Sequence, residues 1–168
     1  MSLPTFIYKN TFKINANHKV MLKMDVASKT AMMIKEHVAR ARQAHMHPAK
    51  LTVLLSLLEE LFGVRLEELI PGVESKFGSK LWGLRGSADL IFSNVVFEIK
   101  VDPKKELDDA IQKLIKYLQV LHERGPGRRS IGIAMDAIEF KAFAPILKCS
   151  QVVDLKEIGS INIAVSTP

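Results

Sequence analysis

The chain has 168 residues, 48% hydrophobic and 25% charged, with a formal net charge of +6. That length suits one domain with a substantial core, and that balance excludes a disordered chain. A single cysteine, Cys149, excludes an intrachain disulfide and suits a reducing cytoplasm; no apolar run approaches the ~20 residues of a membrane span, and no secretion signal is visible.

Residues 1–47 read as an N-terminal arm and helix. Residues 4–24 hold short mixed runs expected to form an extended arm or edge strand, and Asp25 is placed to cap a helix running to about His45. Pro48 suits the first turn of a second helix, in which Leu51, Leu54, Leu55, Leu58, Leu61 and Phe62 keep helical spacing and Gly63 ends the run. Met21, Met24, Met32 and Met33 read as packing residues. His45 and His47 read as surface residues, since no third metal ligand accompanies them. Pro71-Gly72 marks a turn, and 73–83 lead as loop or strand into a hairpin at about 87–101. Asp102-Pro103 breaks that strand. Residues 105–123 then predict a third long helix with Leu107, Ile111, Leu114, Ile115, Leu118 and Leu121 as its apolar stripe. After a Gly125-Pro126-Gly127 loop come strand-like runs at 130–135, 139–143 and 151–155, with Asp136 in a turn. Residues 158–168 read as a tail without a cap, which suits a piece of a longer protein. The order implies an α/β fold with a central mixed sheet of four or five strands flanked by helices, its core spanning 48–157.

The hairpin carries the chemistry. Leu90-Ile91-Phe92 and Val95-Val96-Phe97 are β-prone runs joined by Ser93-Asn94. A two-residue loop pairs Phe92 with Val95, Ile91 with Val96, Leu90 with Phe97, and Asp89 with Glu98. Opposed residues have Cβ atoms roughly 5 Å apart, where like charges destabilise a sheet unless a cation sits between them. Lys100 projects from the same face as Glu98, because strand side chains alternate. The other face (Leu90, Phe92, Val95, Phe97, Ile99, Val101) is apolar. Two acids and an ammonium on one face form a candidate metal site.

These residues, in the order Gly86-Ser87-Ala88-Asp89-Leu90-Ile91, then Phe97-Glu98-Ile99-Lys100, then a helix with Gln112 and Tyr117, resemble the PD-(D/E)XK nuclease superfamily of restriction-endonuclease-like fold. The chain is similar to the N-terminal nuclease domains of type I and type IIG restriction enzymes, over roughly residues 47–145. The resemblance implies Mg²⁺-dependent cleavage of DNA, with Mn²⁺ able to substitute, in a restriction or defence system. It implies Asp89, Glu98 and Lys100 as catalytic residues and Asp89, Glu98 and the Ile99 carbonyl as metal ligands. Mg²⁺ suits such oxygen donors because it is hard and keeps several waters. Arg85, Lys104, Lys105, Gln112, Lys113 and Tyr117 would meet DNA phosphates. Implied associates are a methyltransferase, helicase or specificity subunit, fused or separate, or a second copy of the chain.

The pattern departs from the family in three places. Ala88 stands for the usual proline. Lys113 occupies the register of the family glutamine, and Gln112 is displaced by one residue, a rotation of about 100° on a helix. The acid that many members carry on the preceding helix would fall near His47-Pro48, where there is none; Glu59 and Glu60 lie close in sequence but read as a solvated helix face. Two other readings therefore stand beside the nuclease: a catalytically silent nucleic-acid-binding or interaction module of the same fold, and a structure-specific junction nuclease.

Overall fold

A computed structural model describes residues 16–69, 73–78, 85–125 and 129–165. The chain runs α1 (Ala16–Gln43), α2 (His47–Phe62), α3 (Leu66–Leu69), β1 (Val73–Gly78), β2 (Arg85–Phe92), β3 (Val95–Ile99), α4 (Pro103–Arg124), β4 (Ile131–Met135), β5 (Glu139–Lys148) and β6 (Gln151–Asn162). The expected α/β architecture is present. β1 to β5 form an open mixed sheet flanked by helices, and β6 adds a sixth strand beyond β5. All neighbours are antiparallel except β3 and β4, which are parallel and joined across the sheet by α4.

Helices cover both faces. On one, α1 and α2 bury Ala41, Leu51 and Leu54 against Leu90, Phe97, Ile99 and Met135; on the other, α4 buries Ala110, Leu114, Tyr117 and Leu118 against Ala88, Val96, Ala134 and Phe143. The stripe read for the third helix is thus the face that packs. Pro48 sits in the first turn of α2, and Gly63 ends that helix at φ 64, in the left-handed region where a side chain would be strained. Pro103 opens α4, capped by Asp102, whose carboxylate accepts from Lys104 N at 3.2 Å.

Several expectations give way. α1 begins at Ala16, so residues 16–24 are helical and Asp25 lies inside the helix instead of capping it; residues 4–15 lie outside those described. Met32 is exposed, as is Phe62. Val101 is exposed because β3 ends at Ile99, and strand alternation ends with it. Residues 158–162 belong to β6, not to a tail.

α1 and α2 are tied to the β4–β5 turn by polar contacts. His37 Nε2 lies 2.7 Å from the Ala137 carbonyl oxygen, and the buried Lys50 ammonium donates to the Asp136 carbonyl at 2.9 Å. Burial pushes the His37 imidazole below its ordinary value despite that hydrogen bond. Asp136 makes the expected turn, its Oδ1 accepting from Ile138 N and Glu139 N at 2.9 and 2.8 Å. These bonds fix the N-terminal end of α2, where His47 lies.

The β5–β6 hairpin closes through Cys149 and Ser150, with φ of 48 and 62. Positive φ at both loop positions is the type I′ geometry, which favours Asn-Gly. The double change Cys149→Asn/Ser150→Gly is expected to stabilise the fold by about 1 kcal/mol and to raise the melting temperature by roughly 2–4 °C, read by calorimetry. An unchanged or lower melting temperature would mean the loop is not strained.

Candidate active site

The β2–β3 register is Phe92↔Val95, Ile91↔Val96 and Leu90↔Phe97, as the two-residue loop requires, with Ser93 at φ 56. The ladder stops there, so Asp89 and Glu98 are not the opposed pair expected beyond it. Beyond it the Asp89 carboxylate, instead of a main-chain carbonyl, takes the Ile99 N–H, at 2.6 Å to Oδ2. Ala88 packs with the α4-side cluster whereas Leu90, two residues on, packs with the α1/α2-side cluster. Strict alternation therefore breaks around Asp89. This break sets Asp89 at the end of the sheet where β2 and β3 part.

Glu98 is fully buried on the α4 side. Its Oε1 receives two ammonium groups, Lys113 Nζ at 2.7 Å and Lys100 Nζ at 3.0 Å, while its Oε2 is buried with no hydrogen-bond partner among the described residues. Lys100 also bonds Asp109 Oδ2 at 2.5 Å, and Lys113 lies 3.9 Å from the same atom. Burial works against the Lys100 charge, but the bonds to Asp109 and Glu98 outweigh it and hold this ammonium above the ordinary lysine value. The Asp109 carboxyl is held below the usual range by Lys100.

Tyr117 closes the group. Its hydroxyl donates to the Ser87 carbonyl oxygen at 2.6 Å, bringing α4 down onto β2. Burial, then the charges of Glu98 and Asp89, push the phenol up to about 12. Both carboxylates thus act on one hydroxyl. A folded-state value above the free phenol's ~10 favours the neutral form. The stability it contributes is full below pH ~10 and lost as pH rises through about 12. Tyr117→Phe is expected to remove a tyrosinate absorbance step near pH 12, leaving that of Tyr8, and to flatten the loss of stability in that window; loss of a step at pH ~10 instead would contradict the burial.

His47 is partly exposed, as the sequence suggests, but it also reaches the site. It begins α2, and its Nε2 lies 3.0 Å from Asp89 Oδ2. A ring nitrogen thus stands at the place where the family resemblance calls for a helix acid. Asp109 is the second residue that sequence reasoning misses. No local signal marks either one, because each finds its partner only after a helix docks on the sheet.

The remaining candidates divide. Lys113 meets Glu98 while Gln112 is exposed, so the one-residue displacement does turn the glutamine away. Lys104 is exposed at the start of α4, and Lys105 pairs with Asp102 at 2.9 Å. Arg85 opens β2, and its side chain lies outside the described residues. Glu60 pairs with Arg40 at 2.9 Å and Glu59 is exposed, neither with a bond to Asp89, Glu98 or Lys100.

Among the described residues no three His, Cys, Asp or Glu side chains cluster as a metal cage. The expected donor set is smaller, two carboxylates and one main-chain carbonyl, and one observation fits it. Glu98 Oε2, without a partner among the described residues, is a buried acceptor that costs stability unless something meets it. A hard divalent cation would meet it. Among the described residues no helix is long and apolar enough to cross a membrane. Comparison of the chain with protein-family models, with curated proteins and with solved structures returns no match.

Proposed function

We propose that this chain is a Mg²⁺-dependent nuclease that hydrolyses DNA phosphodiester bonds, in a restriction or defence setting. The observation that carries the reading is a buried Glu98 whose Oε2 has no hydrogen-bond partner among the described residues, beside Lys100, with Asp89 bonded to the N–H of Ile99, the next residue. Asp89, Glu98 and the Ile99 carbonyl would hold the ion. When bound, Mg²⁺ supplies Lewis acidity toward a phosphoryl oxygen and toward water.

The chain's own residues do the rest. Lys100, bonded to Glu98 and Asp109, would offer positive charge to the phosphate and a hydrogen bond to an attacking water. His47 and the Ile99 N–H both grip Asp89 Oδ2, which fixes the carboxylate's orientation. Tyr117 remains neutral and holds α4 on β2, which keeps Lys113 against Glu98. Lys104, Lys105 and Arg85 would add sequence-independent phosphate contacts that weaken with salt.

One observation favours the second reading, a silent nucleic-acid-binding module. Glu98 Oε1 already carries two ammonium contacts, an arrangement that can serve stability alone. Incubation of purified protein with supercoiled plasmid separates the two. The nuclease gives nicked and linear DNA with Mg²⁺ or Mn²⁺ and none with EDTA. Salt-sensitive DNA binding without cleavage in either metal would leave the silent module.

A further inference from the structure

Asp109 is the unexplained member of the cluster. Its side chain is 60% exposed on α4, yet its carboxylate reaches into the site to bond a nearly buried lysine. Lys100 Nζ at 2.5 Å and Lys113 Nζ at 3.9 Å converge on one atom, Asp109 Oδ2, while both also contact Glu98 Oε1. An anionic oxygen between two ammonium groups, open to solvent on its far side, has the surroundings that a phosphodiester oxygen seeks. Glu98 cannot leave its place, because it is fully buried on β3; Asp109, on an exposed helical side chain, can turn into water.

We propose that Lys100 and Lys113 form a seat for one backbone phosphate of a nucleic acid, and that the Asp109 carboxylate fills this seat in the free protein and is displaced when the phosphate arrives. The inference rests on the reading of this face as the nucleic-acid site, but not on hydrolysis. Asp109 then acts as a built-in competitor. It holds the two lysines in position while lowering affinity for DNA. Apparent affinity falls by the fraction of molecules in which the seat is open.

The test is metal-free binding of a fluorescein-labelled DNA duplex, in EDTA at fixed salt, read by anisotropy. Asp109→Asn removes the competitor but also adds one unit of net charge. Asp108→Asn, at the exposed neighbouring position on α4, adds the same charge without touching the seat. Asp109→Asn is expected to bind about three- to tenfold more tightly than Asp108→Asn, the gain expected when a partly exposed ion pair no longer competes. The double change Asp109→Asn/Lys113→Met should lose most of that gain. If Asn disturbs the helix, Asp109→Ala replaces it, because alanine is the better helix former.

Equal or weaker binding by Asp109→Asn than by Asp108→Asn overturns the seat, as does absence of DNA binding by every variant. Plasmid cleavage fails separately. If Mg²⁺ supports no nicking yet Asp109→Asn binds more tightly, the seat stands and hydrolysis falls. If nicking occurs and the two variants bind alike, only the seat falls.

Discussion

Glu98→Gln and Lys100→Met are each expected to lower Mg²⁺-supported plasmid nicking by about 10²–10³-fold, the loss that follows removal of one preorganised charge at a developing negative centre. The two changes remove different things. In Glu98→Gln the new amide oxygen would still accept hydrogen bonds from Lys100 and Lys113, but the side chain supplies no carboxylate for a divalent ion. In Lys100→Met the packed stem is kept and the ammonium deleted, leaving Glu98 to Lys113 alone. Each fold should survive, so melting temperatures within a few degrees of the unaltered protein accompany the loss. His47→Ala should cost less, about 10–100-fold, since the ring orients Asp89 while the Ile99 N–H still holds it. Nicking at the unaltered rate in Glu98→Gln and Lys100→Met would remove the hydrolytic assignment of this site.

The hairpin at the centre of the site is legible in the sequence because two apolar runs and a two-residue turn admit one register. A slip of one residue would send Phe97 and Ile99 to the face that α4 covers and turn Glu98 away from Lys113. The helices on either side are legible for a related reason, since their leucines repeat at helical spacing and those leucines pack. β6 reads short because it is mostly exposed and carries no alternating pattern; pairing with β5 defines its length. Asp25 looks like a cap because aspartate favours helix starts, a local preference that longer-range packing overrides. At the site, spacing within one hairpin sets Lys100 beside Glu98, but the expected opposition of Asp89 and Glu98 is not among the pairs the two strands make. Spacing does not reveal the break in alternation at Asp89, where a side chain takes the hydrogen bond a carbonyl would have accepted. Nor does it reveal His47 or Asp109, whose partners lie on separate elements. The displacement of Gln112 by Lys113 is readable from helix geometry alone, one residue being about 100°.

The largest stability effect is expected where α4 sits on β4, and it bears on the site because α4 also carries Asp109, Lys113 and Tyr117. Leu114 is fully buried, and a Cβ on Gly132 would lie 3.1 Å from both of its terminal methyl carbons and 3.3 Å from Cδ1 of Leu118. The glycine is therefore a place for leucine, and the helix approaches the strand as closely as it does because no side chain intervenes. Leu114→Ala should cost about 2–5 kcal/mol in urea unfolding, through lost burial and the cavity left behind. Gly132→Ala alone should cost roughly 1–3 kcal/mol by overpacking. The double variant should be more stable than the two losses predict, by about 0.5–3 kcal/mol, because the new methyl enters space the leucine vacated. Strict additivity would mean that the helix simply moves away from the strand. In that case Lys113 would withdraw from Glu98, and Gly132→Ala would lose nicking activity well below its melting temperature, whereas a helix held in place keeps both the contact and the activity.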